Sequence, residues 1–271
     1  MILSDRFVYI HYPKTGGTFV SAMLHKLHAG KGYKTSLTRF LGVTFGTAGG
    51  GIIDTDRYAA YPKKHAGCRQ IPASFRAKPI ISTIRNPYDL YVSMYEYGWW
   101  KTHPEHLASD VSKLLDCYPH FPKISFNDYL SINNNWEFQE LKTPNLEPEK
   151  FLGRITRDFM FRFLKKPLPT ILATIDETYI ASQKYREDMF PVHFLKTNRL
   201  NQELFEFLVN VGYDAKKINF IIEQDKIVPP TAPKSGRRQE QKWEKYYTTE
   251  TKQIVRDKER ILFSLFPEFD I

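Results

Sequence analysis

Residues 7–20 read FVYIHYPKTGGTFV, and the fold turns on how this stretch is parsed. Phe7, Val8, Tyr9 and Ile10 are apolar and either β-branched or aromatic, the composition of a buried strand. Pro13-Lys14-Thr15-Gly16-Gly17-Thr18 follows, and then Phe19, Met23, Leu24 and Leu27 recur at helical spacing. A strand, a glycine-rich loop and a helix in that order aim backbone N–H groups and the positive end of a helix dipole at an anion. Two adjacent glycines let the backbone approach a phosphate with no Cβ between. Lys14 adds a positive charge, and Thr15 and Thr18 offer hydroxyls that can bind the anion or cap the helix. The stretch reads as a phosphate cradle. The plainer alternative is an ordinary strand-turn-helix carrying a surface lysine.

A second segment has the same plan. Pro79-Ile80-Ile81-Ser82-Thr83-Ile84 reads as a buried strand that ends at Arg85. Asn86 is a strong N-cap, Pro87 fits the first helical position, and Asp89 falls in the first turn where the dipole favours negative charge. Leu90 and Met94, with Tyr91 and Tyr95, form apolar i,i+4 pairs. Ser93 lies about two turns beyond Asn86, on the face of the cap. Arg85 as a guanidinium fork and Ser93 as a hydroxyl donor therefore suit one anion.

The lysine of the first loop precedes its glycines, so the Gly-Lys-Ser/Thr order of a Walker A loop is missing. PKTGGT followed by RNPYDLYVSMY instead resembles the paired cofactor segments of the sulfotransferase superfamily. The likeness is to its carbohydrate-type and bacterial PKTGG members, which use 3′-phosphoadenosine 5′-phosphosulfate (PAPS). The resemblance implies an α/β fold with a P-loop-like parallel sheet flanked by helices, the sulfotransferase fold. It gives the 5′-phosphosulfate side to Lys14, Thr15, Gly16, Gly17 and Thr18, and the 3′-phosphate to Arg85 and Ser93. A histidine or glutamate between the two segments commonly serves as base, within a Lys-His-Ala run matched by Lys64-His65-Ala66. His65 and Lys14 are thus the expected catalytic residues. On residue chemistry alone, His65 is either a surface histidine or the proton acceptor, since histidine titrates near neutral pH and its lysine neighbours disfavour the charged form.

The rest of the chain adds less. The resemblance implies one domain over residues 1–271, with 97–178 as the divergent region that shapes the acceptor pocket. Trp99 and Trp100 suit either that pocket or the core. Residues 149–164 carry apolar positions at helical spacing, and residues 191–212 read as strand, turn and helix with Gly212 as the C-terminal stop. Strands are expected over residues 7–11, 78–84 and 192–196, and a terminal helix over 249–266. Family members place a glutamate where Asn198 stands, which puts a structural carboxylate in doubt. Lys234-Ser235-Gly236-Arg237-Arg238 is basic and glycine-containing. By resemblance to a loop that closes over the nucleotide, Lys234, Gly236 and Arg237 are cofactor-binding candidates; the alternative is a solvated basic loop.

Composition fits without choosing. Hydrophobic residues at 42% and charged at 25% are globular values, and a net charge of +9 favours an anionic partner. Two distant cysteines, Cys68 and Cys117, argue against a disulfide framework and for a reducing cytoplasm. No leader or membrane-length apolar run is apparent. No histidine has metal-ligand spacing, and the leaving group is already met by lysine and backbone donors, so no metal is expected. The expected co-substrate is PAPS, with PAP (3′-phosphoadenosine 5′-phosphate) as product. The partner is a hydroxyl-bearing carbohydrate, lipid or small metabolite, less readily an amine, and not nucleic acid. Two other classes fit part of the pattern: a P-loop-type nucleotide kinase or ATPase, and a non-catalytic polyanion-binding module.

Overall fold

Apolar runs with no polar alternation suit strands covered on both faces, and Val8–Ile10 and Ile80–Ile84 are fully buried strands. The computed structural model describes residues 1–29, 51–57, 63–135, 138, 152–225, 227 and 242–271. In chain order its main elements are β1 (Ile2–Ser4), β2 (Val8–Ile10), α1 (Gly17–Leu27), β3 (Ile52–Asp54), β4 (Ile80–Ile84) and α2 (Pro87–Tyr97). These are followed by α3 (Phe126–Asn134), α4 (Arg154–Phe163), β5 (Val192–Lys196), α5 (Leu200–Asn210) and α6 (Thr249–Lys258), with shorter helical turns between.

The sheet has five strands in the order β3-β1-β2-β4-β5. β2, β4 and β5 are parallel, with Val8 opposite Ile80 and Ile80 opposite Val192. β1 runs antiparallel to both β2 and β3, so the sheet is mixed and not parallel throughout as expected. The reason is local. β1 ends at Ser4 and β2 begins at Val8, with the Ser4 amide donating to the Phe7 carbonyl across the turn (2.9 Å). So short a connection permits only an antiparallel pair, whereas parallel neighbours need a long crossover.

The chain gathers into two compact units. The first combines Met1–Arg85 with Phe190–Lys234. Phe7, Tyr9, Ile81 and Leu195 of the sheet region pack there against Phe19, Val20, Met23 and Leu24 of α1 and Leu204, Phe207 and Leu208 of α5. Phe7 and Phe207 meet edge to face at 5.5 Å. Each such side chain contributes about 1.5–3 kcal/mol by leaving water, which fixes the strand ends that carry the loops.

The second unit combines Asn86–Met189 with Ser235–Ile271. α2 has the expected ends: the Asn86 side chain accepts the Tyr88 amide (2.9 Å), Pro87 is the first helical residue, and Gly98 stops the helix at φ +69°. Leu152, Met160, Leu164, Ile171 and Tyr185 form an apolar cluster with Ile261. The terminal helix is not continuous. It breaks at Glu259, which leaves helical geometry (φ −103°, ψ 19°) and turns a fully buried side chain inward. Among the described residues, no helix is long and apolar enough to cross a membrane.

Candidate anion-binding site

β2 and β4 are parallel neighbours, so both loops leave the same, carboxyl edge of the sheet. That edge is where ligands bind in open α/β sheets. After Ile10 the chain passes His11, Tyr12 and Pro13 and bends at Lys14, which has φ +63°. A side chain in this left-handed region costs on the order of 1 kcal/mol, and such strain gathers at functional sites. Gly16, at φ +99°, is the N-cap of α1; no side chain caps the helix and no acidic residue occupies its first turn. The expected capping by Thr15 or Thr18 is therefore not found. The positive end of this eleven-residue helix has no acidic residue in its own first turn to offset it.

The two glycines serve different ends. Gly16 needs its positive φ, and a Cβ there would also fall 2.6 Å from Leu200 Cδ2. Gly17 needs its bareness because a Cβ would lie 2.4 Å from Nε2 of His11. At Gly17 the close approach the sequence suggested for a ligand is made, in this structure, by an imidazole.

Three strand ends are tied together under the loop. Thr15 is fully buried, and its hydroxyl donates inward to the Tyr12 carbonyl (2.8 Å). That uses its one proton, so Thr83, with Oγ1 2.6 Å away, donates to it. The Thr15 hydroxyl thus turns inward and clips the loop to β4. The Thr197 hydroxyl, just past β5, bridges the carbonyls of Thr15 (2.9 Å) and Ile84 (2.8 Å). Arg85 donates from its guanidinium to the Lys14 carbonyl (3.0 Å). Lys14, Gly16, Gly17, Thr18 and Arg85 therefore belong to one constellation. Thr197 was not legible as part of it, because a threonine after a strand signals nothing without the neighbouring loops.

His65 reaches this constellation through β2. Its Nδ1 lies 3.3 Å from the His11 carbonyl. A carbonyl only accepts, so that contact makes Nδ1 the donor, and in the neutral ring the lone pair is then on Nε2. The two imidazoles meet at 4.9 Å, inclined by 65°. His65 is exposed and His11 buried. Burial above all, then the nearness of His65 and Lys64, lowers the His11 pKa to about 3, so the ring is neutral. His11 is the residue that sequence reading passed over, as the last position of an apolar strand.

The remaining candidates divide. Ser93 is buried on α2, in the second unit. Trp100 is a core residue there, its Nε1 donating to the Tyr95 carbonyl (3.2 Å), while Trp99 is exposed and stacks on His103 at 3.7 Å. Near Asn198 the carboxylate comes from Glu203, which accepts the Lys196 amide (2.5 Å). Lys234, Gly236 and Arg237 lie outside the described residues. No family model matches the chain, and neither does any curated protein.

Proposed function

We propose that this protein is a PAPS-dependent sulfotransferase acting on a hydroxyl-bearing acceptor. The observation that carries the reading is the direct contact between Arg85 and the Lys14 carbonyl. It supports the pairing of two anion-binding segments that are far apart in sequence. The acceptor oxygen attacks sulfur in line with the bond to the bridging 5′-phosphate oxygen. As the new S–O bond forms, the old one breaks and PAP leaves with the bonding electrons. Lys14 and the α1 amides offset the charge that develops on the bridging oxygen. His65 takes the acceptor's proton on Nε2, the nitrogen left with a lone pair by the contact to His11. The 3′-phosphate roles of Arg85 and Ser93, the closing role of Lys234, Gly236 and Arg237, and the fold-family assignment stand on the sequence resemblance. The two free cysteines support a cytoplasmic setting.

The test is transfer of label from PAPS to a panel of carbohydrate, lipid and small-molecule alcohols, run on wild type and His65→Ala. A base at His65 predicts a roughly hundredfold loss of kcat, unchanged PAP affinity and loss of the rising limb of the pH–rate profile. A His65→Ala enzyme with normal kcat returns His65 to the surface and moves the search for a base to carboxylates.

A further inference from the structure

His11 is 93% buried, yet neither of its ring nitrogens has a hydrogen-bond partner among the described residues. Polar groups sealed from water without a partner cost stability, and native structures keep few of them. An aliphatic side chain of similar volume would fill the space without that penalty, so packing alone does not account for an imidazole here. Its direction is informative. The ring tip is aimed at Gly17, the first residue of α1: a Cβ built there would sit 2.4 Å from Nε2 and 2.7 Å from each adjoining ring carbon. The orphaned nitrogen is thus aimed at the first residue of a helix whose N-cap, Gly16, has no side chain to offer.

We propose that His11 is a ligand-contacting residue of the α1 cradle, hydrogen-bonding through Nε2 to an oxygen of the tetrahedral anion held at the helix N-terminus. The proposal rests on reading the loop as an anion cradle. A neutral imidazole suits the task. It donates an N–H to an anionic oxygen without adding a charge that would compete with Lys14, and a helix N-terminus keeps such a ring neutral. The bond of His65 to the His11 backbone carbonyl leaves the His11 ring uncommitted. The same residue therefore meets the anion with its side chain and orients the base with its backbone.

The experiment uses the full chain with 15N-labelled histidine, titrated separately with PAP and with inorganic sulfate. On saturation with PAP the His11 ring nitrogen should shift while the ring stays neutral. His11→Leu, which has no donor, should bind PAP about tenfold more weakly or worse. His11→Gln carries an amide N–H the same number of bonds from the backbone and should stay within about threefold of wild type. Ligand-free His11→Leu should melt no lower than wild type, because the unpartnered nitrogens are gone. PAP binding that leaves the His11 nitrogens unmoved, or His11→Leu binding as tightly as wild type, overturns the inference and leaves the sulfotransferase reading intact. A sulfate-induced shift without PAP binding upholds His11 and removes that reading. If neither anion binds, both fall.

Discussion

Two helix N-termini in this protein face the same electrostatic problem and meet it in opposite ways. α4, in the second unit, starts just after Gly153 and receives the buried carboxylate of Glu259. One Glu259 oxygen accepts the Ile155 amide (3.2 Å) and the Tyr91 hydroxyl (2.5 Å); the other accepts the amide and hydroxyl of Thr156 (2.6 Å each). Gly153 is bare because a Cβ would fall 2.1 Å from that carboxylate. α1, in the first unit, also starts behind a glycine, but among the described residues no carboxylate is bonded to its first amides, and the unpartnered His11 ring lies against Gly17. Both ends attract negative charge. One is satisfied by the protein itself and contributes to stability. The other receives no side-chain carboxylate among the described residues, and such an end suits an anion.

The largest effect should come from emptying the filled end. Glu259→Ala removes the acceptor shared by the Ile155 and Thr156 amides and the Thr156 and Tyr91 hydroxyls, of which Tyr91 keeps Asn134 Oδ1 (2.9 Å), and should cost about 3 kcal/mol, read by denaturant unfolding, with PAP binding unchanged. A loss below 1 kcal/mol would mean that water replaces the carboxylate and the contrast is weaker than drawn. At the open end, Arg85→Ala should weaken PAP by about 1.5–3 kcal/mol and an analogue lacking the 3′-phosphate far less. Equal losses would make Arg85 a structural residue of the loop and not a 3′-phosphate ligand.

The pH dependence separates the ends further. His11 titrates near 6.5 when unfolded and is held to about 3 in the folded chain. Between those values the unfolded chain binds the extra proton, so stability falls on acidification by up to about 1.4 kcal/mol per pH unit from this group. His11→Leu should flatten that slope, as seen in urea unfolding from pH 7 to 4. The smallest effect concerns strain. Lys14→Gly should be about 1 kcal/mol more stable than Lys14→Ala, since both lose the charge but only glycine accepts φ +63° freely. Equal stabilities would show that the loop relaxes when the lysine goes.

The same contrast explains what the sequence made legible. β2, β4, β5, α2 and the glycine loop announce themselves because their signals are local: apolar runs, Asn86-Pro87, Gly98, Gly16-Gly17. β1 and β3 have three residues each and no motif beside them, whereas β2, equally short, is marked by the glycine loop that follows it. Glu259 sits between Lys258 and Arg260 and reads as one more charge on a terminal helix; only the distant Thr156 and Tyr91 give it a reason to be inside. His11 and the inward turn of Thr15 were missed likewise, because Gly17 and Thr83 become their neighbours only after folding. Local chemistry located the cradle. Which side chains face into it is a tertiary fact.

The central claim is that the open end of α1 holds the phosphate side of PAP. Calorimetric titration of wild type and Lys14→Ala with PAP, ADP-magnesium and heparin tests it most directly. The account predicts one PAP bound per chain, much weaker binding of ADP-magnesium, and loss of PAP binding in Lys14→Ala. Equal affinity for ADP-magnesium, or salt-sensitive binding of heparin with no heat from PAP, would contradict it.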